Sequence, residues 1–163
     1  RGHYLVAIKS SGKSRKFNMP DSSECLVELR SDGTQTMLPP STHPNGHKLQ
    51  FRYINDSAPA VDYADLLVAT QRIAACSVIA RSWSEGSRHQ LALAFAGMMY
   101  KADFDQDLAE NVVNTICAFA SDEELDDRLN AVATTYAWDA SNVSDYGIMV
   151  DILGVNTARK IAE

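Results

Sequence analysis

His3, Glu28, Arg30, Ser41, His43 and Arg88 are the side chains whose types and settings could do chemistry on a charged substrate. Glu28 is an acid inside an otherwise apolar run, Cys25-Leu26-Val27-Glu28-Leu29-Arg30. A strand alternates its faces, so Val27 and Leu29 share one face and Glu28 points to the other. Alternation alone makes Glu28 solvent-facing, which is its plain reading. His3 opens another apolar run, and a lone histidine is more often surface or core filler than a ligand. Ser87 and Arg88 stand where a helix is expected to begin. Free backbone N–H groups, the positive end of the helix dipole and a guanidinium converge there, which suits an anion. The alternative for Arg88 is a surface ion pair with Glu85 or a neighbouring acid.

The elements that must position these residues follow from the periodicity. His3–Ile8 reads as a strand ended by the Ser10-Ser11-Gly12-Lys13 turn. Cys25–Arg30 reads as a second strand, stopped at Ser31-Asp32-Gly33, with Thr34–Leu38 as its hairpin partner. Pro39-Pro40 bars further ladder pairing, and a loop through Gly46 leads to a last strand, Lys48–Ile54. Near Asp56–Pro59 the apolar period changes from that of a strand to that of a helix. Helices are expected from Val61 to about Trp83, from Ser87 to about Ala102, and onward from an Asp105 N-cap through Phe119. Ser121 to Glu124 has the capping-box pattern, opening a helix through Tyr136. The acids from Asp122 to Asp127 then read as cap plus solvated face, with Arg128 paired to Glu124. A last helical pair, Tyr146–Leu153 and Thr157–Ala162, is divided at Gly154. The fold expected is α+β: a small, mostly antiparallel β subdomain over residues 1–56, then an all-α bundle of five or six short helices over 57–163.

In order and spacing these residues resemble the bifunctional primase–polymerase domain of the archaeo-eukaryotic primase superfamily, of the plasmid and phage type. That family carries a His in a Gly-His-like strand motif, then an acid–Ile/Leu–Arg strand with a Gly turn, an apolar strand and a Pro-Pro-Ser loop. The counterparts here are Gly2-His3-Tyr4-Leu5, then Glu28-Leu29-Arg30-Ser31-Asp32-Gly33, then Met37 to Gly46, the last two forming one 19-residue block. The resemblance implies metal-dependent nucleotidyl transfer. In the family a pair of acids in an earlier motif, joined by a third on the later strand, holds two divalent ions, Mg²⁺ or Mn²⁺. Glu28 matches the third acid, usually Asp, and reaches one methylene further. His3 matches the nucleotide-contacting His, and Arg30 with the Ser41/His43 loop would line the same site. The implied substrate is ATP or another NTP or dNTP, and the implied partner is a single-stranded DNA template. Mg²⁺ prefers octahedral oxygen ligands, and one carboxylate cannot hold it tightly. The paired acids would lie upstream of His3. The chain, which also opens without an initiator Met, is therefore expected to be a piece of a longer protein, unable to polymerise by itself.

Glu85 to Met99 resembles the helix bundle that follows the catalytic domain in these primases, where a Gly-Ser/x-Arg-His/Asn turn opens an Ala- and Leu-rich helix. That match implies nucleotide binding by Arg88 and a bundle that engages template and nucleotide at initiation. The resemblance covers most of residues 1–140. The tail from Tyr146 is loosely matched and could lead to a replicative helicase module in a longer parent.

Composition sets the outer bounds. The chain has 163 residues and a net charge of −6, which taken whole argues against a nucleic-acid protein. Divided, residues 1–53 hold eight Lys and Arg against four acids, and the remainder holds seven against seventeen. That asymmetry is a hint of a polyanion-facing surface in the first third. Cys25, Cys76 and Cys117 are scattered, odd in number and in apolar settings, which fits buried thiols in a reducing, cytoplasmic compartment. No run of 18 apolar residues occurs, so no membrane partner is expected. A different class stays open beside the enzyme: a non-catalytic nucleic-acid or replication-partner adaptor, which would bind without any divalent-metal requirement.

Overall fold

The computed structural model describes residues 3–52, 59–138, 143 and 146–162. Among them the architecture is α+β, with six helices and one two-stranded antiparallel sheet. The sheet pairs β1 (Arg15–Asn18) with β2 (Cys25–Leu29). The helices are α1 (Tyr63–Arg81), α2 (Arg88–Lys101), α3 (Gln106–Ala120), α4 (Leu125–Ala137), α5 (Tyr146–Leu153) and α6 (Val155–Ala162). The chain divides into two compact units, Arg1–Phe17 with Cys25–Arg72, and Asn18–Glu24 with Ile73–Glu163.

The first unit corrects most of the strand expectations. β2 forms where the apolar run predicts it, but its partner is β1 and not Thr34–Leu38. The Asp32-Gly33 turn is present, with Gly33 at φ 78° and the Thr34 amide donating to the Ser31 carbonyl. Beyond it the chain is held by side chains instead of a ladder. Arg30 donates to the Gln35 carbonyl at 3.0 Å and to Thr36 Oγ1 at 3.4 Å. Thr34-Gln35-Thr36 has no apolar face to bury, so nothing holds it in strand register. His3–Ile8 likewise forms no strand; Ile8 alone pairs, in a parallel bridge to Val61. Tyr4 and Leu5 are 94% and 61% exposed, so the run lacks the covered face a strand needs. Among the described residues of the next expected strand, 48–52, Lys48 bridges to Thr42 and the Leu49 amide donates to the Ser41 carbonyl, across a tight loop closed by the His43 amide on the His47 carbonyl. The end of that expected strand and the boundary near residue 56 lie outside the described residues.

One contact in this unit depends on a glycine. A Cβ on Gly12 would sit 2.4 Å from the Tyr63 ring, and the Tyr63 hydroxyl donates to the Lys13 carbonyl. Any side chain at Gly12 would push the loop off α1. Nearby, Lys9 and Asp62 form an exposed ion pair at 2.9 Å.

The second unit is a helical bundle centred on α2. Leu91, Ala92, Ala94, Phe95, Ala96 and Met99 are all buried, so α2 is covered on nearly every side. Its small alanines admit α4, α5 and α3 as close neighbours, while α5 packs on α6. Ile79 and Trp83 of the preceding segment, Val113, Ile116 and Cys117 of α3, Val132 of α4 and Met149 of α5 complete one core. The helix boundaries follow the periodicity closely. Gly154, at φ 80°, turns α5 into α6, and Asp105 caps α3 by accepting from the Leu108 amide at 2.7 Å. Ser121 departs from expectation. It is the left-handed C-cap of α3, at φ 53°, and the N-cap position of α4 is Glu124. Asp122 takes over the local capping, accepting from the Glu124 amide at 3.1 Å.

α1, with 19 residues and mean hydropathy 1.2, is long and apolar enough to cross a membrane by length and composition, though Asp65 and Arg72 interrupt its apolar run.

Candidate functional site

The densest polar constellation among the described residues lies inside the helical bundle, around Asp122. Its side chain is fully buried, as is nearly all of Arg128, 6% exposed. Asp122 Oδ2 accepts from the Trp83 indole at 2.8 Å and from Arg128 Nε at 3.1 Å. Its Oδ1 accepts from the Glu124 amide and lies 3.4 Å from an Arg88 guanidinium nitrogen. Arg128 reaches on to the Glu124 carboxylate, the pair expected from their spacing. The three side-chain donors come from different stretches: Trp83 just after α1, Arg88 at the first residue of α2, and Arg128 in the first turn of α4.

The charges balance as two guanidinium groups against two carboxylates, which is the condition for burying them without a large penalty. Burial alone would raise the Asp122 carboxyl; the indole, the Glu124 amide and Arg128 outweigh it and hold it below the usual carboxylate range. Burial likewise works against the charge on Arg128, but hydrogen bonds and attraction from Asp122 and Glu124 hold its ionisation above the ordinary arginine value. The Asp122–Asp127 stretch is therefore not uniformly a solvated face. Its first acid is the ionic centre of the bundle.

Cys117 lies against the same carboxylate, Sγ 3.9 Å from Asp122 Oδ2. Burial pushes its thiol up, and the negative charge of Asp122 adds to that. The thiolate is the reactive species, so Cys117, its ionisation pushed up and its surface 2% exposed, is expected to react slowly while the bundle is folded. Ellman's reagent is expected to modify Cys25 first and Cys117 only as the bundle unfolds. A rapid reaction of all three thiols under native conditions would refute this.

Arg88 joins the buried centre to the start of α2. Its side chain is 21% exposed, one nitrogen faces Asp122, and its Nε is buried with no hydrogen-bond partner among the described residues. The partner is a distant acid and not Glu85. The start of α2 carries no acid in its first turn and no side-chain cap, because the Ser87 hydroxyl turns back to the Ser84 carbonyl. His89 beside it is exposed.

The other expected residues lie in the first unit. Glu28 and Arg30 form an ion pair with each other at 3.0 Å, at 33% and 42% side-chain exposure. Arg30 also grips Gln35 and Thr36, and these two with Met37, Leu38, Pro39 and Ser41 line an open depression. Ser41 lines that depression, whereas Arg30 is tied to it only through Gln35 and Thr36. His43 accepts from the Asn45 amide within its own loop, at 3.3 Å, and His3 is exposed. Among the described residues no hydrogen bond or ion pair joins either histidine to Glu28. Nor do they contain a group of three or more His, Cys, Asp or Glu side chains placed to hold a metal ion. With one carboxylate, already paired to Arg30, these residues do not by themselves make a divalent-cation site.

No family model, curated protein or solved structure matches this chain.

The Asp122 centre is the feature that sequence reasoning missed. Its one local signal was the Arg128–Glu124 spacing. Trp83 and Arg88 are 39 and 34 residues away from Asp122, beyond the reach of any periodicity.

Proposed function

We propose that this chain is part of a primase–polymerase of the plasmid and phage type. Its first unit would contribute to nucleotidyl transfer, and its helical bundle would assist template and nucleotide engagement at initiation. The observation that carries this reading is the start of α2. There the Gly86-Ser87-Arg88-His89 turn opens a helix whose first turn has neither acid nor side-chain cap, with a half-committed guanidinium beside it. Such an arrangement favours a phosphate, because unfilled N–H groups, the helix dipole and Arg88 act together. The first unit adds the exposed Glu28–Arg30 pair, with Arg30 bonded to Gln35 and Thr36 of the segment that leads to Ser41.

The adaptor reading has its own supporting observation, the single carboxylate neutralised by Arg30. An adaptor binds template without metal or nucleotide, so a primer-synthesis assay separates the two. The full-length protein is given single-stranded template, Mg²⁺ and nucleoside triphosphates, and de novo initiation is compared with extension of an annealed primer. Arg88→Ala is expected to lower initiation by about tenfold or more, the equivalent of one charge-assisted hydrogen bond, and to leave extension near the parent level. Equal losses in both steps would remove the initiation role from Arg88. Template binding without synthesis, indifferent to Mg²⁺ and nucleotide, would establish the adaptor instead.

A further inference from the structure

We propose that the exposed cations at and just before β1, Lys13, Arg15 and Lys16, are a docking track for the backbone of single-stranded nucleic acid. The choice of polyanion rests on the primase reading above. The track itself stands on four observations.

The first is uncompensated charge. Lys13, Arg15 and Lys16 are all exposed, and none forms an ion pair among the described residues, whereas Lys9 and Arg30 of the same unit are each matched to an acid. The unit as a whole, Arg1–Phe17 with Cys25–Arg72, holds nine Lys and Arg against five acids. Local excess of this kind, and not the chain's overall negative charge, decides where a phosphate backbone settles.

The second is geometry. β1 has β2 on one side and no strand on the other among the described residues. Arg15 and Lys16 lie on β1 itself, and Lys13 stands just before it, in an isolated bridge to Asp32. Consecutive strand residues leave opposite faces, so Arg15 and Lys16 place a cation on each side of the strand.

The third is preorganisation. The segment leading into β1 is clamped from several directions. Gly12 packs on the Tyr63 ring, and the Tyr63 hydroxyl holds the Lys13 carbonyl. Ser14 Oγ accepts from the Ser31 amide at 2.8 Å, and the Gly12 carbonyl accepts from the Asp32 amide at 3.2 Å. Cations on a fixed backbone lose less freedom on binding than cations on a loose arm.

The fourth is the company they keep. The same unit exposes Tyr4 at 94% and Phe51 at 51%. A basic track in a unit that also offers free aromatic faces is the pattern of single-strand binding, where bases stack and phosphates pair.

The test uses the whole chain, with the triple variant Lys13→Gln, Arg15→Gln, Lys16→Gln beside it. Anisotropy of a fluorescein-labelled oligo(dT) is followed from about 50 to 200 mM salt, and circular dichroism verifies that the variant is folded. The unmodified chain is expected to bind with a steep salt dependence. The variant should bind at least tenfold more weakly at the low-salt end, its log–log slope shallower by about 2 for three lost phosphate contacts. Lys160→Gln, a single-charge control in α6, should leave both quantities unchanged. Binding with the same slope in the triple variant would overturn the track while leaving the primase reading intact. Equal loss of binding to a poly-glutamate peptide would overturn the nucleic-acid choice. No oligo(dT) binding at low salt would overturn the track, and primer synthesis by the full-length protein would then decide separately whether the primase reading survives. Aggregation of the variant with unchanged affinity would mark the three cations as guards of an edge strand, and would also sink the proposal.

Discussion

Asp122→Ala is expected to lower the melting temperature of the helical unit by roughly 15 °C or more. The substitution leaves the Arg128 guanidinium, 6% exposed, without the carboxylate that faces its Nε. It also strands the buried Trp83 indole N–H and loosens Arg88. Breaking one side of a buried ion pair costs about 3–5 kcal/mol, because the surviving charge stays out of water without compensation. That is a large part of the total stability of an ordinary domain, about 5–15 kcal/mol. Thermal or urea denaturation followed by circular dichroism measures it, and a shift of only a few degrees would show that the carboxylate has no net stabilising role. The pH dependence has a definite sign. Asp122 ionises more readily in the folded protein than in the unfolded chain, because the indole, the Glu124 amide and Arg128 outweigh the burial that opposes its charge. Its contribution is then fully present above the unfolded aspartate value of about 3.9, and is lost as pH falls through the lower folded-state value. Asp122→Asn should therefore flatten the stability profile below about pH 4 and leave its shape above that unchanged.

Glu28→Ala is expected to abolish template-directed nucleotide incorporation by the full-length protein, with a loss on the order of a thousandfold or more. The same substitution should leave folding almost untouched. The Glu28–Arg30 pair is 33% and 42% exposed, and an ion pair of that kind contributes at most about 1 kcal/mol. The two readouts must therefore separate: a collapse of activity without a change in melting temperature assigns Glu28 to chemistry, since unfolding cannot explain it. Retained incorporation would strike Glu28 from the reaction and leave it as half of a surface ion pair. A parallel loss of activity and structure would contradict the exposed setting in which it is found. Arg30 offers a useful contrast. It also holds the Gln35 carbonyl and Thr36 Oγ1, so Arg30→Ala should disturb the segment that lines the depression beside Ser41 as well as freeing Glu28.

The sequence by itself determined the helical half. Apolar residues at helical spacing, the Asp105 cap, the breaks at Gly86 and Gly154 and the Glu124–Arg128 pair all act within a few residues, and all appear where expected. Such signals are local, so a single chain carries them in full. Strand pairing was decided by tertiary structure. β2 is plain in Cys25–Leu29, but its partner Arg15–Asn18 has only Phe17 as an apolar residue and shows no alternation of its own. A strand's partner is chosen by what can bury a face beside it, and the more strand-like Thr34–Leu38 was instead tied down by Arg30. The meaning of Asp122 was likewise beyond local reading. Within Ser121-Asp122-Glu123-Glu124 it is one acid among several, and nothing in its neighbours separates it from a solvated residue. Only the packing of the helices brings Trp83, Arg88 and Arg128 around it. A buried charge needs partners from several directions at once, and a linear sequence does not display that convergence.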